Sequence, residues 1–154
     1  MGLDIYLSKK TFIGAMFRSS KFGGVISLTK RGEKVPINAD HLSWVVEDIF
    51  HGRKTYWLQE WLNHELSQAL TNTEEQEISG DVIDRLHRAC VAVLAHRDMA
   101  DFRDVCKEKL YCTLKTEIRQ EELNFFLHEV EELAKATDPS EKTDDTVFLV
   151  SVSW

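Results

Sequence analysis

With 154 residues, 43% of them hydrophobic and 29% charged, the chain has the balance of a soluble globular domain, and its seven Gly and two Pro exclude collagen-like and Pro-rich architectures. No apolar run approaches the roughly 18 residues of a membrane helix, and the chain start lacks the basic patch and long apolar stretch of a signal peptide. The net charge of -7 is uneven: residues 1–60 hold nine Lys+Arg against six Asp+Glu, whereas residues 61–154 hold ten against twenty, an acidic second part that argues against direct nucleic-acid binding.

Residues 1–50 read mainly as strands and hairpins. Leu3, Ile5 and Leu7 alternate with Asp4, Tyr6 and Ser8, the period-2 pattern of a half-buried strand. A second strand is expected over Thr11–Phe17, and Ser19, Ser20, Gly23 and Gly24 mark a loop. Val25–Thr29 and Glu33–Ile37 flank Lys30-Arg31-Gly32 as a hairpin, whose second arm is an edge strand because Pro36 lacks an amide donor. Leu42–Phe50 suits a further strand, with a short helix as the alternative.

Residues 55–136 change rhythm. Trp57, Leu58, Trp61, Leu62, Leu66, Ala69 and Leu70 recur at three and four residues, which predicts an amphipathic helix over Thr55–Leu70. Thr71–Glu77 is polar and reads as a connection. Ser79 is a good N-cap for a helix from Gly80 to His96, with Ile83, Leu86, Cys90, Val93 and Leu94 inward. Met99–Leu114 reads as a helix through Phe102, Val105, Cys106 and Leu110. Glu117–Ala136 follows through Leu123, Phe126, Leu127, Val130 and Leu133, and Asp138-Pro139 stops it. Residues 147–154 form an apolar terminal strand whose exposure would be a liability, so it is expected to pair beside Leu3–Leu7. The expected fold is one α+β domain over residues 1–154: an antiparallel sheet of four to six strands including both chain termini, with three or four amphipathic helices on one side.

The opening Met1-Gly2-Leu3-Asp4-Ile5-Tyr6-Leu7 resembles that of a family of small bacteriophage and prophage proteins, which begin Met-Gly-Leu-Asp-Met-Tyr-Leu. The Arg53-Lys54 pair before a helix with a central Trp61-Leu62, a later helix around Cys90, and Ser151-Val152-Ser153-Trp154 are similar to further features of that family. The chain departs from it over Ala100–Thr116 and at Phe50-His51-Gly52. The resemblance implies a phage-type accessory protein, and no activity comes with it.

Four constellations are candidates for chemistry. Gly52-Arg53-Lys54-Thr55 lies at a strand-to-helix junction, where free amides and two cations suit a phosphate, a nucleotide or a carboxylate. It lacks the glycine pattern of a phosphate loop, and a solvated basic turn is the plainer alternative. Glu65 falls in the arc of Leu58, Trp61 and Leu62, so it must be paired, protonated or at the rim, with His64 beside it near Trp57 and Trp61. A raised pKa would suit Glu65 for acid–base work, whereas an Arg partner would make it structural. His87 and Cys90 share a helix face at i and i+3, but no spacing supplies the remaining ligands of a zinc site, so no metal and no cofactor is expected. Asp4 and Tyr6 share the outer face of the first strand and, with Trp154 nearby, are candidates to floor a shallow pocket, to which His64 and Glu65 are the further candidate members.

No nucleophile elbow, Walker or dinucleotide motif is present, which moves the reading away from an enzyme. The three odd cysteines, Cys90, Cys106 and Cys112, fit reduced thiols in the cytoplasm of a bacterial host. The favoured expectation is a phage-type accessory protein that binds a host or phage protein, itself basic or nucleic-acid-binding. It would do so through an acidic helical face of Glu121, Glu122, Glu129, Glu131 and Glu132, inhibiting a CRISPR or nuclease defence complex. The alternative is a small enzyme or binder of a phosphorylated or nucleotide ligand at Arg53, Lys54 and Thr55. A homo-oligomer with a shared apolar face is the third reading.

Overall fold

The computed structural model describes residues 2–12, 28–36, 42–66, 69–72, 74–143 and 146–154. Alternation in the first strand, β1 (Asp4–Phe12), sends Leu3, Ile5 and Leu7 to the buried side and leaves Asp4 and Tyr6 on the other. The forecast second strand from Thr11 is the end of β1 as far as Phe12, and its remainder lies outside the described residues. So do the loop at Ser19–Gly24, the start of the first hairpin arm and Ile37.

A short ribbon follows, β2 (Leu28–Lys30) and β3 (Glu33–Val35), whose strands pair with each other and with no other strand among the described residues. Arg31 and Gly32 both take positive φ (53° and 85°), as a two-residue hairpin turn requires. Next comes β4 (Trp44–Arg53), antiparallel to β1. Leu7 faces Phe50 but Ser8 faces Asp48, so Ile49 is the extra residue of a bulge. The bulge resets the alternation, placing Phe50 and Gly52 on the buried side.

Helix α1 (Tyr56–Leu66) ends four residues before the forecast Leu70. The polar stretch Thr71–Glu77, expected to be a bare connection, runs into β5 (Gln76–Ile78), which pairs with the last strand, β6 (Thr146–Ser153). Helix α2 (Gly80–Ala95) starts at Ser79 as forecast, the serine hydroxyl accepting from the Val82 amide at 3.4 Å. Helix α3 (Phe102–Leu110) is shorter than Met99–Leu114. It stops where Tyr111 turns into the left-handed region (φ 53°), and the Cys106 carbonyl accepts from the Cys112 amide at 3.3 Å. Helix α4 (Gln120–Ala136) is followed by a single 3-10 turn at Pro139–Glu141.

The result is an α+β architecture with strand order β4-β1-β6-β5, antiparallel throughout, and the first and last strands side by side as expected. One continuous core joins Ile5, Leu7, Phe50, Phe148, Val150 and Val152 of the sheet to Leu58, Trp61, Ile83, Leu86, Val130 and Leu133 of the helices. Terminal-strand pairing supplies that core with Val150 opposite Leu7 and Val152 opposite Ile5. No helix among the described residues is long and apolar enough to cross a membrane.

Candidate functional site

The β4–α1 junction is built by close approach. Gly52 sits opposite Ile5 on the buried face, where a Cβ would collide with the Thr55 hydroxyl and the Phe50 ring. Lys54 then reverses the chain at φ 61°, and its amide donates to the Leu3 carbonyl at 2.5 Å. Thr55 is 1% exposed, and its carbonyl accepts from Leu58 and Gln59 as α1 begins. The Thr55 hydroxyl donates to Glu129 Oε1 at 2.5 Å, and the Trp57 indole N–H donates to Glu129 Oε2 at 3.2 Å.

That geometry revises two expectations together. Glu129 is 7% exposed and is therefore no part of an acidic surface; α4 turns it inward onto the α1 junction. Thr55, forecast to hold an external anion with Arg53 and Lys54, instead serves the protein's own carboxylate. Arg53 and Lys54 themselves are exposed. Burial holds the Glu129 carboxyl above its ordinary range. The hydrogen bonds from Thr55 and Trp57 and the charge of His128 pull the other way without cancelling it.

The residues considered as pocket members separate into three places. Asp4 and Tyr6 stand on the outer sheet face, where Tyr6 stacks on His51 with ring centroids 4.5 Å apart. Asp4 Oδ1 lies 3.8 Å from His51 Nε2 and accepts no hydrogen bond among the described residues. Trp154 instead joins Gly2, Leu3, Tyr56 and Gln59 around a cleft of about 290 Å³. His64 and Glu65 lie elsewhere again, where α1 meets α2 and the end of α3.

There Glu65 accepts from Arg85 Nε at 2.6 Å and from the Tyr111 hydroxyl at 3.1 Å, while His64 packs on the Tyr111 ring at 4.1 Å. Burial by itself raises the Glu65 pKa, but the Arg85 and Tyr111 hydrogen bonds and the Arg85 charge outweigh it, so the group titrates below its ordinary range. Of the two readings of Glu65, the geometry is that of the structural pair. His64 packs at a tilt of 38° on the Tyr111 ring, a partner that spacing within α1 does not reveal.

His87 Nδ1 donates to the Ala134 carbonyl at 2.9 Å and ties α2 to α4, and Cys90 is fully buried in the core. Burial pushes the Cys90 thiol up to about 12. Burial and the neighbouring Cys112 do the same for Cys106, and burial with Glu60 takes Cys112 to about 11. All three are therefore protonated, poorly nucleophilic thiols at neutral pH. Among the described residues no group of three His, Cys, Asp or Glu side chains is placed to hold a metal ion.

The solvent side of α4 has its own pattern. Successive helical residues turn by about 100°, which lines up Glu121, Phe125, His128 and Glu132 on one stripe. All four are exposed, Phe125 by 55%. Glu122 turns back to the start of the helix, accepting from the Arg119 amide and guanidinium, and Glu132 pairs with Lys135 at 3.0 Å. Glu121 and Glu131 enter no salt bridge among the described residues. Phe125 was missed by the sequence reading, although its signal was present: in the Phe125-Phe126 pair only Phe126 falls on the arc of Leu123, Leu127, Val130 and Leu133. No family model matches the chain, and no curated protein or solved structure is detectably similar to it.

Proposed function

We propose that this protein acts by protein–protein binding, with the solvent face of α4 as its docking surface and a basic, nucleic-acid-handling protein of a bacterial cell as its partner. The carrying observation is Phe125, a large ring left 55% exposed on a stripe that also carries Glu121 and Glu132. Exposed aromatics that enter a partner's pocket supply much of the energy of an interface, and a charged rim supplies orientation and association rate. The partner is therefore a surface with an apolar socket edged by Lys or Arg. The acidic balance of residues 61–154 favours such a surface over nucleic acid itself. The resemblance to phage and prophage proteins supports an accessory role, in which α4 occupies the basic channel of a CRISPR or nuclease defence complex.

The test is affinity capture from bacterial lysate by the wild-type chain, Phe125→Ala and Glu121→Lys/Glu131→Lys in parallel. The reading expects a basic protein that the wild type retains, that salt releases and that both variants lose. Capture that is equal for all three chains contradicts it.

A further inference from the structure

A second surface carries a separate inference. Tyr56, at the first turn of α1, and Trp154, just past β6, are 53% and 48% exposed, and both line the cleft of about 290 Å³ with Gly2, Leu3 and Gln59. That volume is close to the lower end of the range for small-molecule pockets, about 300 Å³. Neither ring contacts another aromatic ring among the described residues. Trp154 is anchored all the same: its amide donates to Asn72 Oδ1 at 3.2 Å, and Asn72 bridges to Val152 beside it. Gln59 adds a carboxamide, a donor and an acceptor on one rim.

The third component is a cation. The side chain of Lys54 lies along Gly2, close enough that a Cβ there would be 3.5 Å from Lys54 Cε. Its backbone is in the left-handed region, a conformation that favours glycine. Two half-exposed rings and a carboxamide line the cleft, and the Lys54 side chain lies against the Gly2 that also lines it, a set that matches a flat heteroaromatic ring with an anionic substituent. We propose that this cleft binds a nucleoside monophosphate, the base between Tyr56 and Trp154 and the phosphate toward Lys54. The site is independent of the α4 surface: none of its lining residues belongs to α4, so either reading can fail alone.

The experiment is an NMR titration of the full chain with AMP, GMP, CMP and UMP, with adenosine and inorganic phosphate as separate probes. A saturable response centred on Tyr56, Gln59 and Trp154 is expected from at least one monophosphate. Adenosine should bind more weakly than AMP, and phosphate alone should not reach saturation. Trp154→Ala should weaken binding by about tenfold or more, the scale of one lost base–aromatic stack. Lys54→Gly suits the local backbone and keeps the fold, so it should weaken AMP while leaving adenosine unchanged. No saturable response to any monophosphate up to about 10 mM, an affinity too weak to matter, overturns the proposal. So does a response that Trp154→Ala and Lys54→Gly both leave intact.

Discussion

Thr55 and Glu129, 74 residues apart, meet in a buried hydrogen bond in which the threonine hydroxyl donates to Oε1 at 2.5 Å. Trp57 donates to the other oxygen, so one carboxyl group of α4 fixes both the first turn of α1 and the Trp57 ring, which packs edge-on to Phe126 at 5.6 Å. A threonine before a helix usually accepts from the helix amides. Here it faces inward as a donor because Gly52 leaves room for it.

The titration of Glu129 gives a signed prediction. Its folded pKa is raised, so the folded state keeps the proton longer than the unfolded chain. The stability this group contributes is therefore greatest in acid and is lost as pH rises from about 4.5 through the folded value. Glu129→Gln can still serve both partners if the Thr55 hydroxyl rotates to accept. Urea unfolding over a pH series should show Glu129→Gln gaining on the wild type as pH rises through that window. Glu129→Ala leaves two buried donors without an acceptor and should cost about 1–3 kcal/mol, with the largest loss in acid. Glu129→Gln losing ground to the wild type as pH rises would reverse the account.

Gly52→Ala drives a methyl group into Thr55 and Phe50, and is expected to cost about 1–3 kcal/mol in chemical denaturation. Thr55→Ala made first should recover part of that loss, because it removes one of the two colliding groups. Additive effects of the two substitutions would mean that the hydroxyl is not what Gly52 accommodates.

Glu65 behaves in the opposite sense to Glu129. Its lowered pKa means its contribution is present above the unfolded value and is lost as pH falls through the folded one. A side-chain carboxyl NMR titration should place Glu65 below the ordinary 4.5, and Arg85→Ala should move it upward because burial then acts with less opposition. An unmoved midpoint in Arg85→Ala would deny the pairing its role.

The cysteines should be slow to react. With Cys90 and Cys106 near 12 and Cys112 near 11, maleimide labelling of the native chain at neutral pH should lag far behind labelling in denaturant. Cys112 is the least buried and should label first. Rapid native labelling of Cys90 would show that the α2 core opens readily.

What sequence alone conveyed was local. The alternation of Leu3, Ile5 and Leu7, the Arg31-Gly32 turn and the Ser79 cap each depend on a few neighbouring residues, and each stands in the structure. The terminal strand was legible because so apolar a segment needs a partner. Strand β5 was not: Gln76-Glu77-Ile78 has little strand character of its own and is held by Leu149 and Phe148 across the ladder. The end of α3 at Tyr111 and the packing of His64 on that ring depend on how helices meet, as does the inward turn of Glu129. On the helical wheel Glu129 sits at the border between the polar and apolar arcs, and only the arrival of Thr55 and Trp57 decides its side. The same long-range packing scattered Asp4, Tyr6, His64, Glu65 and Trp154 to three sites.

The most direct test of the α4 surface is the affinity of the captured partner for wild type, Phe125→Ala and Glu121→Lys/Glu131→Lys, measured by calorimetry at low and high salt. Phe125→Ala should cost about 2 kcal/mol, the scale of an anchor residue, with the salt dependence retained. The double charge reversal should weaken binding chiefly at low salt, where screening is least. If both variants bind as the wild type does at both salts, α4 is a solvated helix and the docking surface lies elsewhere.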